Sequence, residues 1–264
     1  MLNNDTYFSQ ENSRKYMSVS QFKSFMDCES RTMAELKGEY HRGTTEALLV
    51  GSYVDAWFEG TLEKFTKANS SEIYTRSGTL KKPYQHAEYI IERVQRDKKF
   101  MQYMSGEKQQ IFTGEIAGVP FKIKVDSYHK NLLVDLKVMR DFNMIYDPVA
   151  HRKLHFIDAW RYDIQGAVYR EIVRQNTGQT LKFYIAAVTK EAEPDLEIFW
   201  IEDDVLDAAL DEVKALAPRF QKIKNGEIEP TKCGKCFDCR KKKILQNPIN
   251  YREVYDFDAE DFDG

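Results

Sequence analysis

The sequence predicts an α/β protein with a central mixed sheet flanked by helices. Three observations carry this expectation: helical spacing of apolar residues in the first hundred positions, three strand-like runs between residues 109 and 139, and a closing order of helix, two strands and helix. A chain of 264 residues can bury a substantial core as one unit, so a single domain is expected over residues 1–252.

Residues 1–17 are polar and are expected to be loose. A first helix is predicted in "SVSQFKSFMDCESRTMAELKGEY", where Ser18 or Ser20 can cap and Phe22, Phe25, Met26, Met33 and Leu36 recur at helical spacing. A second covers "EALLVGSYVDAWFEGTLEKF". Residues 68–84, with Pro83, read as a loop, and "QHAEYIIERVQRDKKFMQYM" returns to helix. Strands follow in "QQIFTGEI", "VPFKIKVDSY" and "NLLVDLKVM", with "HKN" as a hairpin turn. After an irregular stretch containing Pro148, "HFIDAWRYDIQGAVYREIVRQNTG" is predicted as one long helix stopped by Gly178. Two strands, "TLKFYIAAVTK" and "LEIFWIED", precede a last helix in "DDVLDAALDEVKALAPRFQKIKNG", with Asp203 or Asp204 as its cap. No internal repeat is present.

The net charge of -3 is unevenly placed. Residues 253–264, "EVYDFDAEDFDG", hold six acidic and no basic side chains, leaving +3 on residues 1–252. That balance neither demands nor forbids DNA, because a local basic groove can carry binding. The acidic tail is expected to be disordered, with Phe257 and Phe262 as anchors if it docks on a partner. No run of about 18 apolar residues exists and the first residues lack a secretory pattern, so a cytoplasmic protein with no membrane partner is expected.

Within "LLVDLKVMRD", Asp135 and Lys137 stand two apart and share one face of a strand, while Val134, Leu136 and Val138 point the other way. Asp126 ends the preceding strand and can reach Asp135 across the hairpin. Two neighbouring carboxylates repel, and a hard divalent cation relieves that repulsion. A lysine beside such an ion can orient or deprotonate a water, or stabilise charge on a phosphate oxygen. An isolated Asp-x-Lys on a solvated face would mean nothing of the kind.

The spacing of Asp126, Asp135 and Lys137 resembles the core of the PD-(D/E)XK nuclease superfamily, whose restriction-endonuclease-like fold it implies. By that resemblance the Leu136 carbonyl is a further metal ligand. "GSYVDAWFEG" is similar to a helix of RecB-like members, with Asp55 where they carry histidine and Glu59 after it, so both are candidate ligands. "YDIQGAVYREI" resembles their Gln-x-x-x-Tyr motif, which implies that Gln165 and Tyr169, with Tyr162 on the same stripe, contact DNA. Glu115 corresponds to a glutamate found in the strand before Asp126 in such sequences, and equally to a hairpin-edge charge.

"CGKCFDC" places Cys233, Cys236 and Cys239 at gaps that let thiolates converge, and Cys28 is the remaining cysteine. Four thiolates suit zinc or an iron–sulfur cluster, and Cys28 alone could be a buried small apolar residue. The arrangement of one cysteine before the core and three after it resembles the iron–sulfur nucleases of the RecB-like group, which implies a 4Fe-4S cluster that clasps the two ends of the domain. The "RKKK" run that follows could grip phosphates or be a solvated face.

From about Ser18 to Arg240 the chain resembles phage RecE-like exonucleases of the exodeoxyribonuclease VIII type. That implies Mg²⁺- or Mn²⁺-dependent digestion of one strand of linear duplex DNA, 5′ to 3′, leaving a tail for a RecT-type single-strand annealing protein, with a homo-oligomeric ring among the forms such enzymes take. The alternatives are a structure-specific or single-strand endonuclease with the same site, and a non-catalytic DNA-binding adaptor.

Overall fold

A computed structural model describes residues 2–147, 151–245, 247, 248 and 250; the acidic tail lies outside them. The helices before the sheet are α1 (Gln10–Lys15), α2 (Val19–Asp27), α3 (Glu29–Lys37), α4 (Glu46–Glu59), α5 (Leu62–Ala68), α6 (Ser70–Ile73), α7 (Lys82–Arg96) and α8 (Lys98–Tyr103). Strands β1 (Glu107–Ile116), β2 (Val119–Tyr128) and β3 (Leu132–Met139) follow, then a small hairpin of β4 (Ile145–Asp147) and β5 (Arg152–Leu154). The chain continues through α9 (Phe156–Ala159), α10 (Tyr162–Thr177), β6 (Lys182–Thr189), β7 (Leu196–Trp200), α11 (Asp203–Lys224) and α12 (Phe237–Lys241).

The main sheet runs in the order β1-β2-β3-β6-β7. It is antiparallel except where β3 and β6 pair in parallel, with α10 in the crossover between them. A parallel neighbour on one side explains why β3 reads as an almost unbroken apolar run: both of its faces are covered. Val134, Leu136, Ala186 and Val188 pack under α4 and α7, and Leu133, Phe183, Ile185 and Ala187 pack under α10, α11 and α2. Asp135 and Lys137 therefore interrupt the α10 side of the sheet. Close approach there depends on Gly166, where a Cβ would meet Phe183 at 2.7 Å and Leu206 at 2.8 Å.

Several elements depart from the sequence expectation, each for a local reason. The first predicted helix is two: Ser18 caps α2, and Cys28, in extended backbone, ends it and caps α3 with its own sulfur. Gly60, at φ 72°, divides the second predicted helix into α4 and α5, and Asp97 divides the next into α7 and α8. The long helix expected from His155 breaks at Arg161, whose left-handed backbone (φ 51°) is held by ion pairs to Asp163 and Glu212. Neither Asp203 nor Asp204 caps α11; Glu202 occupies that position and its side chain makes no cap bond.

Residues 2–17 are not loose. Tyr7 is buried, and its hydroxyl donates to the Lys122 carbonyl while the Lys122 ammonium donates to the Tyr7 carbonyl. Met17, fully buried, bridges to β2 through Met17 N to Pro120 O (2.8 Å) and Lys122 N to Met17 O (2.9 Å). This strap brings Tyr7 and Phe8 to the edge of the charged strand.

Candidate active site

Strands β2 and β3 pair only at Ser127 with Val134 and at Tyr128 with Leu133. One step further the same register sets Asp126 opposite Asp135, and there the ladder ends. Like charges directly opposite are unfavourable in a sheet, so the strands part where the two carboxylates meet. The parted strands remain tied by a side chain: Asp126 Oδ2 accepts from Leu136 N at 2.9 Å, in place of a backbone acceptor. The N–H and C=O of one strand residue point to the same edge, so the Leu136 carbonyl also opens toward this gap.

A cavity of about 400 Å³ fills the opening, lined by Asp55 from α4, Asp126, Asp135, Leu136 and Lys137 from the strands, and Tyr162, Gln165 and Tyr169 from α10. Tyr7, Phe8, Ser18, Ser20, Lys23, Lys122 and Lys124 complete its wall. The fold thus brings together all but two of the expected carboxylates, lysine and α10 residues. One exception is Glu59, which lines an adjacent cavity with Lys64 and Lys108 and accepts from the Thr61 hydroxyl at 3.3 Å. Glu115 is exposed at the other end of β1 and also lies outside the cavity.

Each carboxylate has a defined setting. Asp135 is buried; its Oδ1 accepts from Gln165 Nε2 at 2.5 Å, and its Oδ2 meets the Lys137 ammonium as an ion pair but receives no hydrogen bond. Asp126, half-buried, also accepts from Gln109 Nε2 at 3.2 Å. Gln109 sits on β1 in left-handed backbone (φ 53°), the kind of strain that persists where a site requires it. Loss of water, then the Asp135 charge, raises the Asp126 carboxyl to about 7. The same two kinds of cause, burial and then Asp126, push Asp55 well above the ordinary carboxylate range. For Lys137 burial opposes the charge, but Asp135, Tyr162 and Asp126 outweigh it and hold the group as an ammonium.

The three α10 residues line the cavity, and Gln165 and Tyr169 already have partners inside the protein. Gln165 is buried and spends its amide on Asp135; Tyr169 is buried and donates its hydroxyl to the Lys124 carbonyl at 3.0 Å. Tyr162 lies beneath two ammonium groups, Lys137 at 5.0 Å and Lys23 at 5.1 Å from its ring centre. Burial and the Lys137 charge lower Lys23 to about 8, and it donates to the Trp160 carbonyl at 2.8 Å. Sequence reasoning missed Lys23, Gln109, Tyr7 and Phe8. Only Lys23 left a signal, as the lone cation of helix α2.

The four cysteines lie on the opposite end of α2, and their sulfurs all fall within 4.8 Å of one another. Among the described residues, no other group of three or more cysteine, histidine or acidic ligand atoms gathers so tightly. Beside them, Glu29 accepts from Arg219 Nε (2.7 Å) and Nη2 (2.9 Å) and from Thr231 N (2.7 Å) and Oγ1 (2.6 Å). Burial alone would raise Glu29, but these donors hold it at about 2.

A mixed sheet parted at an Asp/Asp-x-Lys pair defines a nuclease fold of the PD-(D/E)XK type. The family comparison agrees: residues 18–242 match the model of a PDDEXK-like domain of unknown function (DUF3799), and the chain belongs to that family. A crystal structure from Eubacterium rectale, described as a "Putative exonuclease", is similar at 45% identity over 97% of this chain and 99% of that one, with a TM-score of 0.91. No curated protein matches the chain. Among the described residues no helix is long and apolar enough to cross a membrane.

Proposed function

We propose that this chain is a divalent-metal-dependent exonuclease that digests one strand of linear duplex DNA. The observation that carries the reading is the parted β2–β3 pair, which opens Asp126, Asp135 and the Leu136 carbonyl onto a cavity beside the Lys137 ammonium. These hard oxygen donors, including a buried Asp135 oxygen that meets the Lys137 ammonium, fit Mg²⁺ or Mn²⁺. Asp126, Asp135, Leu136 and Asp55 would hold the ion, which supplies positive charge to the scissile phosphate and acidity to a water. Glu59 is left out of that set because it faces another cavity.

The chain's own groups do the rest. Lys137, charged and fixed against Asp135, orients the attacking water and steadies charge on the phosphate. Gln165 fixes Asp135, and Tyr169 pins β2 through Lys124, so both act by positioning rather than by touching DNA. Lys23 and Lys124 face the strand backbone. Phe8, 76% exposed on a strap held by buried Tyr7, offers a ring on which an unpaired base can stack.

The finer reading, 5′ to 3′ digestion that leaves a 3′ tail for an annealing protein, is supported by the likeness of these motifs to RecE-type exonucleases. The test is nucleotide release from a linear duplex labelled at one 5′ or one 3′ end, with a covalently closed circle alongside. Release that requires Mg²⁺ and a free end is expected. Lys137→Ala should lower it by about 10³-fold or more with the fold unchanged by circular dichroism. Normal cutting by that variant would overturn the mechanism, and cutting of the circle would favour an endonuclease. Phe8→Ala should slow duplex digestion roughly tenfold and single-strand digestion less, in keeping with the loss of one stacking contact.

A further inference from the structure

We infer that the four cysteines hold a single tetrahedral zinc ion, and that the iron–sulfur cluster implied by the likeness to RecB-like nucleases does not fit this chain. The inference concerns the clasp alone and stands whether or not the cavity cleaves DNA.

The argument is one of size. Four thiolates on one zinc at about 2.3 Å lie at the corners of a tetrahedron with edges of about 3.8 Å. Here Cys28 and Cys239 are 3.6 Å apart, Cys28 and Cys236 3.9 Å, and Cys233 and Cys239 4.0 Å. The whole set stays within 4.8 Å. In a four-iron cluster each thiolate binds a different corner iron and points away from the cluster centre, which spreads the sulfurs to roughly 6 Å. The cysteines enclose room for one ion and too little for a cube of iron and sulfide.

Backbone geometry holds the sulfurs in that small frame. Cys233 Sγ accepts from Cys236 N at 3.3 Å, Cys236 Sγ from Cys239 N at 3.4 Å, and Cys28 Sγ from Arg31 N at 3.5 Å. Gly234, at φ 72°, makes the turn between the first two ligands. A fully thiolate-ligated site with no open position is structural, and this one joins the α2–α3 junction to α12 and the turn that leads into it.

The test uses the full-length protein, purified without oxygen from cells supplied with both iron and zinc. Elemental analysis is expected to find one zinc per chain and no acid-labile sulfide, with no broad visible absorption. Cobalt-substituted protein should show the visible bands of a tetrahedral cobalt thiolate. About four irons and four sulfides per chain would overturn the inference, as would a single iron or a metal-free chain that melts at the same temperature with and without a strong chelator. Cys28→Ser is expected to lose the zinc and several degrees of melting temperature. If that variant does not fold, the metal count and cobalt spectrum of the unaltered protein still decide.

Discussion

The acidic cleft and the cysteine clasp are both gathered sets of ligand side chains, yet they are built in opposite ways. In the cleft the candidates come from adjacent strands and a nearby helix, and the protein's own hydrogen bonds hold the carboxylates in separate positions. In the clasp the ligands lie as much as 211 residues apart in sequence and their sulfurs already converge. The difference is that between an open site, which must leave room for water and phosphate, and a closed one, whose ligands are all spent on the ion. It follows that the cleft is a place of stored repulsion and the clasp one of stabilisation.

That contrast can be broken most sharply at Asp126. Asp126→Asn is expected to lower nucleotide release by about 10³-fold or more, because a ligand is lost, and yet to raise the melting temperature in chelator at pH 8. The sign follows from linkage: a carboxyl raised to about 7 in the folded state is disfavoured in its charged form above that pH, so the unaltered side chain costs stability there. A variant that melts lower than the parent would show that the Leu136 and Gln109 bonds outweigh the repulsion. Gln165→Leu is a smaller change, expected to reduce the turnover rate by about 10- to 100-fold through misorientation of Asp135. DNA affinity measured with Ca²⁺ should hold; a loss confined to affinity would return Gln165 to the DNA surface.

The same raised carboxyl gives the cleft a pH dependence that sharpens the comparison. Below about pH 7 a proton sits on Asp126 and must leave before a cation binds, so apparent Mg²⁺ affinity should fall about tenfold per pH unit below that point. Calorimetry in buffers of different ionisation enthalpy would detect the released proton. Beside the clasp the carboxyl shift has the opposite sign. Glu29 is held at about 2, so its stabilisation is complete above the ordinary glutamate range and is lost as pH falls toward 2. Glu29→Gln should cost about 2 kcal/mol, or roughly 4–8 °C in melting temperature, with little change in activity at 25 °C.

The strand core was legible because β3 combines an almost unbroken apolar run with two charges that have no business in a covered strand. Asp126, Asp135 and Lys137 could be placed together from strand geometry alone, and the cysteine spacing announced itself. What stayed hidden were features decided by tertiary contact. Tyr7 and Met17 look like ordinary residues of a polar leader until β2 offers them partners. Arg161 carries no turn signature, since its left-handed backbone is stabilised by Asp163 and by Glu212 fifty residues on. Gln165 and Tyr169 were read as DNA contacts from a resemblance, and only the packing of α10 against β2 and β3 shows their polar atoms already engaged inside the protein.

Helix α2 spans nine residues, about 13 Å, and is the one rigid rod that touches both centres: Ser18, Ser20 and Lys23 line the cleft, and Cys28 ends it in the clasp. A strut anchored at both ends transmits damage from either. Loss of the thiolate contacts at its far end would therefore loosen the helix that carries Lys23 into the cleft wall.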